Sequence, residues 1–205
     1  LTADTNNHRT RNHGRVWPMG RRISLVLILM TLVWMIQQTA RANSPPSEYE
    51  VEAAFILNFA EFITWPAHSF HDGNSPLIVG VIGNDPFGKV LDNTFAGIKI
   101  DGHPVTIRRA RDVDDLRGCQ MIYISPSEKD RLEEILANID SAPVVTISEL
   151  NGFCWRGGIV NFYIDDHKVR FEINIGAARR HGLKVSSQLL SRARIVGNES
   201  ARADK

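Results

Sequence analysis

The sequence LIVGVI at residues 77–82, followed by GNDPFG at residues 83–88, decides the fold class of this chain. A continuous apolar run of this kind suits a β-strand that is covered on both faces. The pair Asn84-Asp85 is a helix cap, and the proline after it suits the first position of a helix. The two stretches therefore predict a strand that leads directly into a helix over residues 87–95.

The same alternation of strand and helix continues along the chain. We predict a hairpin over 98–107 with an Asp-Gly turn, a helix over 112–116, a strand over 121–124, a helix over 127–139 capped by Ser127, and a strand over 144–147. Because strands that alternate with helices pair in parallel, these elements predict a parallel sheet.

Residues 159–164 and 168–173 depart from this pattern, since apolar and polar side chains alternate in both. They predict an antiparallel hairpin at one edge of the sheet. The elements predicted after it are a helix over 174–181 with Gly182 as its cap, an extended segment over 183–185, and a last helix from Ser186 or Ser187 through Ile195. The predicted fold class is α/β, with a mostly parallel central sheet and flanking helices, as in a Rossmann-like three-layer sandwich, plus the carboxyl-terminal antiparallel hairpin.

A long amphipathic helix is predicted before the first strand. Ser47 and Glu50 have the spacing of a capping box at its start, and Trp65-Pro66 ends it. Apolar residues follow one another at steps of three and four at Val51, Phe55, Phe59, Phe62 and Ile63. We expect this row to pack on the sheet, although its width also suits a partner helix.

The amino-terminal segment has the pattern of a secretory signal peptide. Arg21-Arg22 precede an apolar run over residues 23–36, and Ala40-Arg41-Ala42 follows it. As a helix this run spans about 21 Å, which is short of the roughly 30 Å hydrocarbon core of a bilayer. We expect cleavage after Ala42, and the alternative is an uncleaved inner-membrane anchor. Both place the rest of the chain outside the cytoplasm.

The chain has 205 residues, which suits one domain on a prior of roughly 100–200 residues each. The predicted organisation is an upstream extension over 1–18 that precedes a natural start at Met19, a signal peptide over 19–42, a single α/β domain over 43–196 and a tail over 197–205.

The charge balance argues against a nucleic-acid partner. Residues 1–42 hold six of the 24 Lys and Arg side chains and one of the 23 Asp and Glu, so the remainder has 18 basic and 22 acidic side chains. A domain with net negative charge has no excess positive charge to hold a polyanion.

The two cysteines do not predict a disulfide framework. Cys119 precedes one predicted strand and Cys154 follows the next. If these strands are parallel neighbours, the two residues lie too far apart for a bridge, so two unpaired thiols are favoured over one disulfide. His68 and His71 have no third ligand nearby, so no metal site and no cofactor is predicted.

The segment from Gly83 to Lys89 has the spacing of a phosphate-binding loop, but Val90 replaces the Ser or Thr that would hold magnesium. The helix amino terminus beside it still suits a small anion or a ligand carboxylate. The residues of this candidate ligand crevice are Gly83, Asn84, Asp85 and Phe87. No nucleophile motif accompanies them, so no catalytic residue and no enzyme activity is predicted.

Short motifs are spread in order through nearly the whole predicted mature chain. They are Ala53-Ala54-Phe55, Asn58-Phe59, Phe62, Trp65-Pro66, Gly83 to Gly88, Phe171-Glu172-Ile173-Asn174, Ala177-Ala178, Gly182-Leu183, Ser186-Ser187 and Leu189-Leu190. Together they resemble the YfiR-like family. The resemblance implies a small periplasmic α/β protein, often dimeric and without known catalysis, that restrains an inner-membrane diguanylate cyclase by contacting its periplasmic sensor domain. Release of that restraint raises cyclic di-GMP and favours biofilm.

The resemblance also implies the class of partner and a contact surface. The partner is the periplasmic domain of a diguanylate cyclase or sensor kinase, with an outer-membrane lipoprotein as a further candidate. The implied partner-binding residues are Glu172, Ile175, Ala178, Val185 and Leu190. For Ile175, Val185 and Leu190 the alternative is ordinary core. Glu172 alternates with apolar neighbours, so we expect it to face outward, available for a charge-assisted contact.

We therefore keep two hypotheses for the function. The first is a periplasmic, non-catalytic regulator of a membrane signalling enzyme. The alternative is a periplasmic sensor module that binds a small molecule in the crevice at Gly83–Phe87. The disulfides of the family's best-known member have no counterpart in a chain with two cysteines, so redox control is not expected.

Overall fold

The computed structural model describes Met30, residues 46–139 and residues 142–197. The chain divides into two units, Leu1–Pro45 and Pro46–Lys205. The fold described below belongs to the second unit. The signal peptide expected over 19–42 lies outside the described residues except for Met30, and so does the tail after Gly197. Among the residues that are described, no helix has the length and hydropathy to span a bilayer.

The elements alternate as the sequence predicts through most of the domain. The helices are α1 (Glu48–Phe62), α2 (Lys89–Phe95), α3 (Leu132–Ile139), α4 (Ile175–Arg180) and α5 (Ser187–Leu190). The strands are β1 (Ile63–Thr64), β2 (Leu77–Ile82), β3 (Lys99–Ile100), β4 (His103–Ala110), β5 (Met121–Ile124), β6 (Val145–Ser148), β7 (Val160–Asp165), β8 (Lys168–Asn174), β9 (Lys184–Val185) and β10 (Arg194–Val196). Short 3-10 helices lie at Ala67–Ser69, Val113–Leu116, Pro126–Glu128 and Phe153–Arg156.

The fold is mixed α/β, built on a mixed eight-stranded sheet with the order β10-β8-β7-β6-β5-β2-β4-β3. Parallel pairing runs from β4 through β2, β5 and β6 to β7, and it joins β10 to β8. The pairs β7–β8 and β3–β4 are antiparallel. The expected parallel centre is therefore present, and the antiparallel pairs lie towards the two edges. A separate two-stranded sheet joins β1 to β9.

The strand β2 separates two core clusters. Leu77, Val79 and Val81 point into one cluster, which α1 and α2 cover. Ile78 and Ile82 point into the other, beneath α3. Helices thus cover both faces of the sheet, which explains why this strand is apolar throughout.

The start of α2 differs from the prediction of a helix from residue 87. Asp85 Oδ1 accepts hydrogen bonds from the backbone N–H groups of Phe87 and Gly88, at 2.8 and 3.2 Å. This Asx turn holds the chain outside helical geometry until Lys89, where α2 begins. Phe87 is buried beneath the turn rather than placed in the first turn of the helix.

The start of α3 also differs, because Ser125 rather than Ser127 is the capping residue. Ser125 Oγ accepts from the backbone N–H of Ser127 at 3.3 Å and begins the 3-10 helix Pro126–Glu128. The α-helix itself starts only at Leu132.

The prediction for residues 191–195 is wrong. The last helix ends at Leu190, and Arg194–Val196 form β10, which pairs in parallel with β8. The β7–β8 hairpin is therefore not the edge of the sheet. A strand at this position satisfies backbone groups of β8 that an edge would leave exposed, and Ile195 and Val196 are β-branched residues that suit a strand.

The buried face of α1 is rotated from the predicted apolar row. The capping box is present, since Ser47 Oγ accepts from the Glu50 N–H and the Glu50 carboxylate accepts from the Ser47 N–H. The fully buried positions of the helix are Glu52, Ala53, Ile56, Phe59 and Ala60. Of the predicted row, Phe59 and Ile63 are buried, whereas Val51, Phe55 and Phe62 are half-buried. Phe55 and Phe59 pack against Phe162 and Phe171 of the sheet, as expected. Ala53 and Ala60 belong to the core cluster on this side of the helix, and the rotation carries a glutamate into the interior.

Candidate functional site

Four of the five residues implied as partner-binding lie together on one surface, which we call the α4–α5 patch. They are Ile175, Ala178, Val185 and Leu190, and they line a shallow cavity of about 230 Å³. Ile175 and Ala178 lie on α4, Val185 lies on β9 and Leu190 lies on α5.

Capped and paired elements hold this patch in place. Asn174 Oδ1 accepts from the Ala177 N–H at 2.8 Å at the start of α4, while its Nδ2 donates to the Cys154 carbonyl at 2.7 Å. Ser186 Oγ caps α5 by accepting from the Leu189 N–H at 3.2 Å. Between them, β9 pairs with β1 at the end of α1. The patch is thus tied to the core at both ends.

The patch combines half-exposed apolar groups with a basic border. Ala178 is 1% exposed and belongs to the core, whereas Ile175, Val185 and Leu190 are half-buried. The exposed side chains of Arg179 and Lys184 border the same cavity. A surface of this composition suits a partner that presents apolar and acidic groups.

Glu172 does not face outward, and that expectation is wrong. Its side chain is 3% exposed and forms an ion pair with Arg194, whose Nε lies 3.0 Å from Glu172 Oε2. The guanidinium also lies 4.2 Å from the centre of the Tyr163 ring. The cause includes β10, a strand that was not predicted: it pairs along the edge of β8 and places Arg194 directly beside Glu172.

Most polar groups of the candidate ligand crevice already form hydrogen bonds within the chain. The Asn84 N–H donates to Ser127 Oγ at 3.0 Å, and Asp85 Oδ1 accepts hydrogen bonds from the backbone N–H groups of Phe87 and Gly88. Arg109 Nε donates to the other oxygen of Asp85 at 2.6 Å. The Phe87 ring packs edge-on against Tyr123 in the core.

Gly83 is required where the crevice approaches the next loop. A Cβ atom on Gly83 would lie 2.4 Å from Ser127 Oγ, and its φ is +89°. The amide groups that a ligand carboxylate would use are therefore hydrogen-bonded internally, and little space is left beside them.

Both cysteines are free and buried. The strands that they flank, β5 and β6, are parallel neighbours. Burial raises the pKa of the Cys119 thiol to about 11, and it raises the pKa of Cys154 further. Neither thiol is a ready nucleophile, because the thiolate is the reactive form.

Three carboxylates that were not predicted from the sequence lie close together, and we call them the acidic cluster: Glu48, Glu52 and Glu149. One carboxylate oxygen of each lies within 4.8 Å of the others. Burial, followed by the negative charges of Glu149 and Glu48, raises the pKa of Glu52 to about 8. Tyr123 donates its hydroxyl to Glu149 Oε1 at 2.8 Å. The only sequence signal was that Glu48 and Glu52 share a helix face, which is a common feature of solvated helices.

Comparison with solved structures shows the fold alone. A conserved domain protein from Vibrio cholerae O1 biovar eltor str. N16961 matches with a TM-score of 0.51 and 14% sequence identity. The match covers 74% of this chain and 61% of that one, so this chain spans less than two thirds of the matched structure. An ABC domain in complex with L-Trp from Streptococcus pneumonia matches with a TM-score of 0.44 and 10% identity, over 58% of this chain and 55% of that one.

The family comparison covers most of the described domain. Residues 49–194 match the DUF4154 family, which is described as YfiR/HmsC-like. The match extends from the first turn of α1 to the first residue of β10, so it includes the parallel centre of the sheet, the β7–β8 hairpin and the α4–α5 patch. This chain belongs to the YfiR/HmsC-like family.

Proposed function

We propose that this protein is a periplasmic, non-catalytic regulator that binds the periplasmic domain of an inner-membrane diguanylate cyclase and restrains it. Family membership supports the class of function. The observation that carries the proposal is the α4–α5 patch, where half-buried Ile175, Val185 and Leu190 lie beside exposed Arg179 and Lys184.

The restraint requires no chemistry from this chain. A regulator that binds the inactive state of an enzyme more tightly than the active state shifts the population towards the inactive state. Each increment of about 1.4 kcal/mol by which the regulator binds the inactive state more tightly than the active state shifts that equilibrium tenfold. A rigid, capped surface suits this role, because little conformational entropy is lost on binding.

The same patch is also our candidate for contact between two copies in a homodimer. If the dimer uses the patch, partner binding and dimerisation compete for it. Light scattering measures the mass of the purified chain, alone and with the partner's periplasmic domain. A complex that contains two copies of this chain means that the dimer binds the partner, whereas a complex with one copy means that the dimer dissociates first.

The experiment that tests the proposal measures intracellular cyclic di-GMP in a strain that lacks the gene and carries variants of it. Wild type and Ile164→Asp are expected to lower the nucleotide level, whereas Ile175→Asp is not. Ile164 is the matched control, since it is 51% exposed at the end of β7, outside the patch. The melting temperatures of both variants are measured alongside.

An unchanged nucleotide level on deletion and complementation would contradict the proposed regulation of a cyclase. Equal behaviour of the two aspartate variants, with both folded, would contradict the α4–α5 patch as the contact surface. The small-molecule sensor has less support, because the amides at Phe87 and Gly88 already bind Asp85.

A further inference from the structure

We propose that Glu48, Glu52 and Glu149 bind one hard divalent cation, of the calcium or magnesium class. The site is separate from the α4–α5 patch, and the inference does not depend on the proposed regulatory function.

The fold places the three carboxylates at one point. Glu48 and Glu52 are one helical turn apart on α1, and Glu149 directly follows β6. Their ligand oxygens all lie within 4.8 Å of one another. Oxygens that bind one calcium ion at about 2.4 Å are at most about 4.8 Å apart. The spacing of these three oxygens is therefore within the limit for ligands that share one ion.

Glu52 supplies an independent observation that points to a ligand. The residue is 1% exposed, and its Oε2 atom is buried without any hydrogen-bond partner among the described residues. A buried polar atom without a partner is costly, and proteins normally supply one. A cation among the three carboxylates supplies that partner and offsets their mutual repulsion.

The rest of the cluster is organised for binding from solvent. Glu48 is exposed, Glu149 is half-buried and Glu52 is buried, so the site opens outward along the first turn of α1. Tyr123, from β5, fixes Glu149 by donating its hydroxyl to Oε1. This leaves the other oxygen of Glu149 available, and water can complete the coordination on the open side.

The ligand set indicates the class of ion. All three groups are carboxylates, and neither histidine nor cysteine takes part in the cluster. Oxygen-only sites favour hard cations such as calcium and magnesium, whereas zinc and copper sites use nitrogen or sulfur. Carboxylates bind calcium in flexible geometry, with one or both oxygens, so calcium is the first ion to test.

The test is calorimetric titration of the full chain, stripped with EDTA and exchanged into metal-free buffer, with calcium chloride and separately with magnesium chloride. We expect one ion per chain, with a dissociation constant of about 10⁻⁴ to 10⁻³ M, as in extracellular calcium modules. Glu52→Gln and Glu48→Gln are each expected to weaken binding at least tenfold. Glu61→Gln removes the same charge from an exposed position on the same helix and is expected to change nothing.

Glu48→Gln keeps the test decisive if the buried substitution disturbs folding, because Glu48 is exposed. The proposal is overturned if neither ion produces heat up to about 10 mM, well above the affinity range of such sites. It is also overturned if Glu48→Gln and Glu61→Gln bind as tightly as the wild type, since binding would then lie elsewhere.

Discussion

Arg194 and Glu172 form an ion pair across the parallel pairing of β10 with β8, with 3.0 Å between Arg194 Nε and Glu172 Oε2. The carboxylate side chain is 3% exposed and the guanidinium side chain is 57% exposed, so one partner is buried and the other reaches water. The pair lets an acidic residue lie inside the sheet and attaches the last strand to the domain. The charge of Glu172 is thus used within the protein.

Arg194→Ala is expected to destabilise the protein by about 1–3 kcal/mol, because it leaves a buried carboxylate without its counter-charge. The loss is smaller than the roughly 3–5 kcal/mol of a fully buried pair, since Arg194 is half in water. Urea unfolding measures the difference. Arg192→Ala, which removes an exposed arginine two residues earlier, is the control. Equal midpoints for the two variants would contradict a stabilising role for the pair.

Gly80→Ala is expected to destabilise the protein by about 1–3 kcal/mol, the usual range for overpacking. A Cβ atom on Gly80 would lie 2.7 Å from Leu116 Cδ2 and 3.1 Å from Cys119 Sγ, in the core beneath the sheet. Gly73→Ala is the matched control, because no atom lies within 4 Å of its Cβ position. Thermal unfolding compares them, and a Gly80→Ala variant as stable as Gly73→Ala would show that the packing relaxes freely.

The strands β2 and β5 could be predicted from the sequence because burial on both faces leaves a continuous apolar run, which is a local signal. The segment at Arg194–Val196 could not, because a three-residue strand has no periodicity of its own. It forms a strand through its pairing with β8, more than 20 residues earlier in the chain. The prediction that Glu172 faces outward was wrong for the same reason, because β10 brings Arg194 beside it.

The site residues show the same limit. The α4–α5 patch followed from the family resemblance, and its members do lie together because local caps at Asn174 and Ser186 place them. The acidic cluster was missed because helix periodicity gives a face only approximately. A rotation of one residue turns Glu52 from solvent to the interior, where it is buried on the same side of α1 as Ala53 and Ala60.

The cysteines are expected to be unreactive in the folded protein. With the pKa of Cys119 raised to about 11 by burial, and that of Cys154 raised further, almost no thiolate is present near neutral pH. Ellman's reagent should therefore report no rapid reaction in native buffer and two thiols in urea. The variants Cys119→Ala and Cys154→Ala assign each signal. A rapid native signal that disappears in Cys119→Ala would show that this thiol is exposed.

Stability in the presence of EDTA is expected to fall as pH rises from about 4.5 to about 8, the interval between the ordinary pKa of a glutamate and that of Glu52 in the folded protein. The folded state keeps the Glu52 proton over this interval, whereas the unfolded state has released it. The raised pKa therefore stabilises the fold fully below the lower value, and this contribution is lost by the upper one, at up to about 1.4 kcal/mol per pH unit.

Glu52→Gln mimics the protonated side chain and is expected to remove this pH dependence of stability. The free energy of unfolding of the variant should therefore exceed that of the wild type by more as pH rises. The groups that set the pKa of Glu52 are Glu149 and Glu48, in addition to burial, while Tyr49 and Tyr123 titrate well above this interval because burial raises both of their pKa values. Urea unfolding at several pH values measures the two curves, with Glu61→Gln as the charge-matched control. Parallel curves for wild type and Glu52→Gln would mean that Glu52 titrates as an ordinary exposed glutamate, because only a group whose pKa differs between the folded and unfolded states makes stability depend on pH.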